Sequence, residues 1–329
     1  MSFPETMRAA FVRETGGAIE IGDLPVPRPG PTDVLVRTTA SAVDRVDLFV
    51  RAGTYRTRTP FPFVLGRDLV GTVAAVGPVV DAVTVGDRVW ANSLGHDGRQ
   101  GAFAEYAVVA ADRVYPVPDG VADTDVVAIA HTGATAWLGL VREAAVRPAE
   151  TVVVGGAGGG VGSAAVQLAT VAGARVIATC SPSDDAWCRS CGADVVLDYH
   201  HDDLHDRIRD AAPGGVDVWW DNSGHQDFVA SLPLMRRGGR VVVSAGLGSG
   251  THPALPVGDM YTRDVSLRGF AISNASVADL ADAATGVSRI LAAGRISARI
   301  GATYRLADAA AAHRALESGT VTGRIVVLP

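Results

Sequence analysis

The chain has 329 residues, of which 48% are hydrophobic and 19% charged, with a formal net charge of −6. That is ordinary globular composition with length for about two domains, and its acidic balance argues against a nucleic-acid partner. All 29 basic residues are arginines, so lysine is excluded as a catalyst or phosphate ligand.

The opening MSFPETMRAAFVRE carries charge and proline where a signal peptide needs an apolar run. No uncharged apolar stretch reaches the roughly 18–20 residues of a membrane helix. The first third then reads as all-β. VLVRTTA (34–40), LVGTVAAVG (69–77), DRVWANSL (87–94) and FAEYAVV (103–109) are short β-rich runs, broken by Gly, Pro and Asp turns such as PVPRPGP and YPVPDG. From about Asp123 the texture changes. TVVVGG is a continuous apolar strand, SAAVQLATVAG a helix, ARVIATC a strand, DAWCRSCG a helix stopped by Gly192, and ADVVLDY a strand. DLHDRIRDAA, VDVWWDNSG, FVASLPLMRRGG and RVVVSAG continue as helix, strand, helix and strand. Alternation with fully apolar strands argues for a parallel, doubly wound sheet covered on both faces. After about Ser266 come two helices, VADLADAATGVSRILAAG and LADAAAAHRALESG, and a last strand, GRIVVLP. Three cysteines, Cys180, Cys188 and Cys191, suit a reducing, cytoplasmic setting better than a disulfide framework.

The glycine loop carries the first chemical signal. Six of the eight residues Gly155 to Gly162 are glycine, after an apolar strand and before a helix. Helix N-terminal amides carry the positive end of the dipole and attract phosphate, but only where no side chain intervenes. The best register is Ala157-x-Gly159-x-x-Gly162. Gly159 lets backbone approach a dinucleotide pyrophosphate, and Gly162 lets the helix pack on the strand. An acid at the end of the second strand marks NAD sites. Here that strand ends Thr179-Cys180-Ser181, which favours NADPH. Asp184 and Asp185 follow closely, and no lysine can clamp a 2′-phosphate, so NADH stays open.

Seven segments in order carry a resemblance: MRAAFVRETGG, VDLFVRAGTYRTRTPFPFVLGRDLVGTVAAVG, GDRVW, GAFAEYAVV, GATAW, the glycine loop and AHRALESGTVTGRIVV. Together they resemble the zinc-independent quinone oxidoreductase branch of the medium-chain dehydrogenase/reductase superfamily, over nearly the whole chain. The resemblance implies an α/β protein with a GroES-like β-barrel catalytic domain (1–122 and 266–329) around a Rossmann domain with a doubly wound parallel sheet (123–265). It also implies an active site in the cleft between them and a homodimer or homotetramer. Zinc-dependent relatives carry Cys three residues before Asp, and later Gly-His-Glu. This chain has Asp44-Arg45-Val46-Asp47 and Gly66-Arg67-Asp68, with His131 near the third ligand position. An arginine stays protonated and repels Zn²⁺, so no metal is expected. An Asp44–Arg67 ion pair is expected to fill the vacated site. The quinone reductase pattern commonly has Asn where Asp44 stands.

Hydride transfer from nicotinamide needs alignment, exclusion of water and stabilisation of a developing oxyanion. A quinone or α,β-unsaturated carbonyl spreads that charge by conjugation and so suits a site without a Lewis acid. Tyr55 in RAGTY is the candidate proton donor or oxyanion partner, with Asp44, Arg67 and His131 beside it. A structural tyrosine, a buried ion pair and a hydrogen-bonded histidine are the competing readings. By resemblance, coenzyme contacts fall on Thr135, on Ala157, Gly159, Gly160, Val161 and Gly162, and on Thr179, Cys180, Ser181 and Tyr199. They continue on Asn222, Ser223 and Gly224, on Ala245, Gly246 and Leu247, and on Phe270 and Ile272. Cys188-x-x-Cys191 and the His200–Asp206 cluster read as helix surface, since metal sites usually show four ligands. The sequence therefore points to an NADPH-dependent reductase of quinones or enones. A zinc-free alcohol or ketone oxidoreductase and a non-catalytic, crystallin-like NADPH binder are the alternatives.

Overall fold

The computed structural model describes residues 3–329. In chain order its elements are β1 (Thr6–Val12), β2 (Glu20–Pro25), β3 (Asp33–Val43), α1 (Arg45–Ala52), β4 (Phe63–Val64), β5 (Asp68–Val76), β6 (Arg88–Ala91), β7 (Tyr106–Ala110), β8 (Tyr115–Pro116) and α2 (Asp123–Trp137). There follow β9 (Thr151–Gly155), α3 (Gly160–Val171), β10 (Arg175–Cys180), α4 (Asp185–Ser190), β11 (Val195–Asp198), α5 (Leu204–Ala211), β12 (Val216–Asp221), α6 (Phe228–Ser231), β13 (Met235–Val243), α7 (Val257–Thr262) and β14 (Ser266–Gly269). The chain closes with α8 (Val277–Ala292), β15 (Ile300–Arg305), α9 (Ala309–Ser318) and β16 (Arg324–Leu328). It divides into two compact units, one formed by the residues up to His131 with Ser276–Pro329, the other by Thr132–Ala275. The division falls within α2, not at the change of texture near Asp123, because that helix runs unbroken across it.

The first unit holds a three-stranded sheet, β2-β1-β4, and a seven-stranded one, β15-β16-β3-β5-β6-β8 with β7 also on β3. Its core gathers Val12, Val43, Phe63, Leu65, Phe103, Ile325 and Val327 with the alanine face of α9, Ala309, Ala312 and Ala315. Two registers place the site. β16 runs antiparallel to β3 with Ile325 opposite Val43, which sets Arg324 beside Asp44. β5 pairs with β3 so that Asp68 lies opposite Ala42.

The second unit is a six-stranded, all-parallel sheet of order β11-β10-β9-β12-β13-β14. Val152, Val153 and Val154 of β9 are fully buried, so successive side chains pointing to opposite faces both find cover. Strand order reverses about β9, leaving the carboxyl ends of β9, β10 and β12 at the switch point where ligands bind in such sheets.

Two expectations are corrected. FVASLPLMRRGG is not one helix: α6 stops at Ser231, a 3₁₀ turn follows at Leu232–Leu234, and β13 already begins at Met235. Pro233 limits the helix, and Gly238 takes φ +76°, which belongs to a turn or an irregular strand. The sequence reading also omitted β14 and β15. In β15, IGATYR alternates half-buried and exposed residues, a weak amphipathic signal carried by an edge strand. Among the described residues, no helix is long and apolar enough to cross a membrane.

Candidate active site

Asp44 is the N-cap of α1, and its backbone N–H donates to Asp47 Oδ2 at 2.8 Å. Arg67 and Asp68 enter β5, His131 lies on α2, and Arg324 opens β16. These six side chains come from four separate stretches of the chain, and all are buried; Asp68 is 0% and Arg67 1% exposed. The pairing in the cluster differs from the sequence expectation. Asp44 Oδ1 is held by Arg324 Nη2 at 2.8 Å, and the same nitrogen stands 3.8 Å from Asp68 Oδ2. The expected Asp44–Arg67 pair is thus corrected: the cation on Asp44 is Arg324, delivered by the β16 register, which also sends Arg324 Nε to the Ala128 carbonyl at 3.0 Å. His131 Nδ1 stands 3.6 Å from Asp68 Oδ1.

Burial decides the protonation states. Burial would raise Asp44, but the Arg324 guanidinium, His131 and hydrogen bonds from Asp68 and Arg324 together outweigh it and hold the carboxyl below its ordinary value. Asp68, desolvated and next to the Asp44 charge, is driven well above the ordinary range. Asp47 is pushed up to about 8 by burial and then by Asp44. His131 is lowered by burial, against the pull of Asp44. Burial and mutual repulsion thus oppose charge on Asp68, Asp47 and His131 while Asp44 keeps its charge beside Arg324, so the balance of the cluster leans towards positive charge. Asp44, Asp68 and His131 each bring one donor atom within 4.8 Å of the others, a spacing a cation could bridge. The space between the carboxyls is reached by a guanidinium, and a divalent ion there would face Arg324 and Arg67, which cannot shed their charge.

Tyr55 follows α1 closely, its N–H donating to the Phe49 carbonyl at 3.0 Å. The Arg67 guanidinium lies 5.7 Å from the centre of its ring, and His96 meets the ring edge-on at 5.8 Å. Burial and Arg67 lower His96 to about 4, so this histidine is neutral, and its Nδ1 is hydrogen-bonded to Thr57 Oγ1 at 2.9 Å. The structure thus brings together the four sequence candidates Tyr55, Asp44, Arg67 and His131, and adds Asp47, Asp68 and Arg324. Of these three, Asp68 had a signal in the Gly-Arg-Asp segment. Arg324 was visible only as a lone charge opening an apolar terminal strand.

The coenzyme candidates fall at the carboxyl edge of the parallel sheet. Gly159 is the N-cap of α3 and exposed. A methyl group there would meet nothing nearer than the Gly156 carbonyl at 3.3 Å, so the bare position is not demanded by the protein itself. One at Gly162 would lie 2.2 Å from the same oxygen, so Gly162 is required for α3 to seat against the loop. Gly160 and Val161 open the helix, and Ala157 is buried beneath it. Thr179 and Cys180 are buried at the end of β10 and offer a ligand only backbone, whereas Ser181 begins the next turn. Tyr199, past β11, is half exposed and stacks on His200. Beyond β12, the amide nitrogen of Asn222 is buried with no hydrogen-bond partner among the described residues, a donor left for a ligand. Ser223 and Gly224 follow it. Ala245, Gly246 and Leu247 follow β13, and Phe270 and Ile272 follow β14. Phe270 packs against Trp220 and lies under the Arg142 guanidinium. Thr135 is buried on α2. A bare amide turn, an open α3 N-terminus and an unpaired amide donor at the switch point fit a dinucleotide.

Comparison with known proteins agrees with this layout. Residues 30–119 match the alcohol dehydrogenase GroES-like domain, and residues 160–287 match a family model described as zinc-binding dehydrogenase. The quinone oxidoreductase of Sus scrofa is 30% identical over 309 residues, covering 93% of this chain and 92% of that protein. A crystal structure described as an NAD-dependent alcohol dehydrogenase superposes with a TM-score of 0.89 at 34% identity, over 98% of this chain and 100% of its own. A mycobacterial protein solved in complex with NADPH gives 0.85 at 32% identity, over 98% and 100%. By these matches the chain belongs to the medium-chain dehydrogenase/reductase superfamily, in its quinone oxidoreductase branch: an oxidoreductase on a nicotinamide-binding fold.

Proposed function

We propose that the protein reduces quinones or α,β-unsaturated carbonyls by direct hydride transfer from a reduced nicotinamide dinucleotide, NADPH or NADH, without zinc. The observation that carries the reading is the Arg324–Asp44 ion pair, set with Arg67 at the positions that hold the metal in zinc-dependent relatives. A bound reduced nicotinamide supplies the hydride. The chain's own residues supply the rest. The positive balance of the cluster favours negative charge developing on a substrate oxygen in a buried, low-dielectric setting. The hydroxyl of Tyr55, whose ring centre lies 5.7 Å from the Arg67 guanidinium, gives that oxygen a hydrogen bond and then its proton. Asp44 keeps Arg324 in place, and burial, which disfavours charge on His131, leaves the positive charge with the arginines. The family's homodimer or homotetramer and a reducing, cytoplasmic setting belong to the same reading; the three cysteines are free and buried.

The test is coenzyme oxidation with a panel of quinones, enones, ketones and alcohols, alongside elemental analysis and light scattering. Turnover confined to conjugated carbonyls, with no stoichiometric zinc, is expected. Turnover confined to alcohols or ketones would move the reading to a zinc-free alcohol oxidoreductase. Tyr55→Phe is expected to lower kcat on an enone by roughly 10²-fold, the scale of general acid catalysis, with coenzyme affinity unchanged. Undiminished turnover would remove Tyr55 from the mechanism.

A further inference from the structure

The loop that follows β6 is built against the loop that carries Tyr55. The Leu94 N–H donates to the Arg67 carbonyl at 3.2 Å, which ties its start to the entry of β5. Farther on, the Asp97 N–H donates to Thr57 Oγ1 at 2.8 Å and the Gly98 N–H to the Arg58 carbonyl at 2.9 Å. Gln100 Nε2 donates to the Pro60 and Pro62 carbonyls at 3.2 and 3.0 Å. Gly98 takes φ +82°, and a methyl group on it would stand 3.2 Å from Arg58 Nε, so the Arg58 side chain lies against bare backbone.

This lacing gathers positive charge next to Tyr55. The Arg99 N–H donates to the His96 carbonyl at 3.1 Å and its Nε to the Ser93 carbonyl at 3.1 Å. Its two terminal nitrogens have no hydrogen-bond partner among the described residues, and neither does the guanidinium of Arg113, in the turn after β7. Both side chains are half-buried. Arg99 is lowered first by burial and then by the charges of Arg113 and Arg67, while Asp97 and Asp112 pull the other way. Neither of those carboxylates closes an ion pair with Arg99 or Arg113 among the described residues. Arg67, Arg99 and Arg113 all act on His96, whose ring meets Tyr55 edge-on. Arg324 is committed to Asp44 inside the buried cluster; Arg99 and Arg113 have no such partner. Two half-buried cations within reach of each other's charge oppose folding. A bound anion reverses that sign, and a guanidinium grips a carboxylate or a phosphate through two parallel N–H donors.

We propose that the substrate carries, beside its conjugated carbonyl, an anionic group, a carboxylate or a phosphate, which Arg99 and Arg113 receive next to Tyr55. The proposal rests on the reading above that Tyr55 meets the substrate, and it names the substrate's class: an acidic enone or quinone instead of a neutral one.

Matched substrate pairs test it: a carboxylated enone against its methyl ester, and an enoyl thioester of coenzyme A against the same thioester of pantetheine, which lacks the phosphates. The anionic member of one pair is expected to show a kcat/KM ~10- to 100-fold higher, the scale of hydrogen bonds between charged groups. The gain should come through a lower KM and shrink as salt is raised. The pair that shows it distinguishes carboxylate from phosphate. In Arg99→Met the advantage should fall towards parity. Arg113→Gln, which gives up no hydrogen bond within the described chain, should do the same if the Arg99 variant melts early. Calorimetry with the saturated carboxylated analogue and with coenzyme A reads the same contacts without turnover. Equal or better use of the neutral member in both pairs, or an advantage unchanged in variants that melt like the wild type, overturns the proposal and leaves the reductase reading intact. No turnover of any conjugated carbonyl overturns that reading instead; the proposal then holds if the two variants weaken binding of either analogue, and falls if they do not.

Discussion

Replacing Arg324 by methionine tests the cluster most directly, because methionine nearly fills the volume and removes only the charge and its hydrogen bonds. Asp44 would lose a partner at 2.8 Å, Asp68 a cation at 3.8 Å, and the Ala128 carbonyl a donor at 3.0 Å. Removing one partner of a buried ion pair costs about 3–5 kcal/mol, and an unsatisfied carbonyl about 1–3 kcal/mol. The groups share one environment, so the costs do not add; about 4 kcal/mol is expected. The sign with pH follows from Asp44. In the wild type its folded pKa lies below the unfolded value, so its ionisation stabilises the fold above the ordinary carboxylate range, and that contribution is lost as the pH falls. Without Arg324, burial dominates, the folded pKa rises above the unfolded one, and stability falls as the pH rises. Urea denaturation of Arg324→Met, Asp44→Asn and the double variant at pH 6 and pH 8 should give a larger loss at pH 8. The double variant should be more stable than Arg324→Met alone. A loss below about 1 kcal/mol at pH 8, or strictly additive single changes, would mean that Arg324 and Asp44 are not energetically coupled.

Two further outcomes are expected. Asp47 is held at about 8 by burial and the Asp44 charge, against an ordinary 3.8. The folded state therefore keeps a proton that the unfolded chain gives up, and this contribution is full below pH 3.8 and lost as the pH rises through 8. Asp47→Asn should flatten the decline of melting temperature between pH 6 and pH 9; an unchanged slope would place that titration elsewhere. At the glycine loop, Gly162→Ala forces a methyl 2.2 Å from a backbone oxygen and should destabilise the fold by about 1–3 kcal/mol. Gly159→Ala meets nothing closer than 3.3 Å, so it should melt like the wild type yet bind coenzyme more weakly. Equal melting losses in the two variants would show that the loop's bareness serves packing and not the ligand.

The pattern of the glycine loop was legible in the sequence because its cause is local. A strand, a turn free of side chains and a helix follow one another within twenty residues, and the amides that would face phosphate belong to those same residues. The apolar runs of β9, β10 and β12 were legible for a related reason: strands covered on both faces cannot afford a polar alternation. FVASLPLMRRGG misled because a proline and a glycine pair sit within an otherwise helical composition, and neighbouring strands then draw Met235 into the sheet. The edge strand β15 has too little burial to leave a strong pattern.

By itself the sequence led to the expectation that Asp44 and Arg67 stand where zinc-dependent relatives hold the metal, and it showed a glycine loop amid alternating strands and helices. Only the tertiary structure decided which charge answers which. Arg324 lies 280 residues from Asp44 in the chain and reaches it because Ile325 pairs with Val43 across β16 and β3. Asp184 lies against Gly158 because a 3₁₀ turn bends it back past a buried cysteine. Both are matters of register and turn geometry, where a shift of one residue would send the side chain to the other face of the sheet, and no spacing along the chain encodes them.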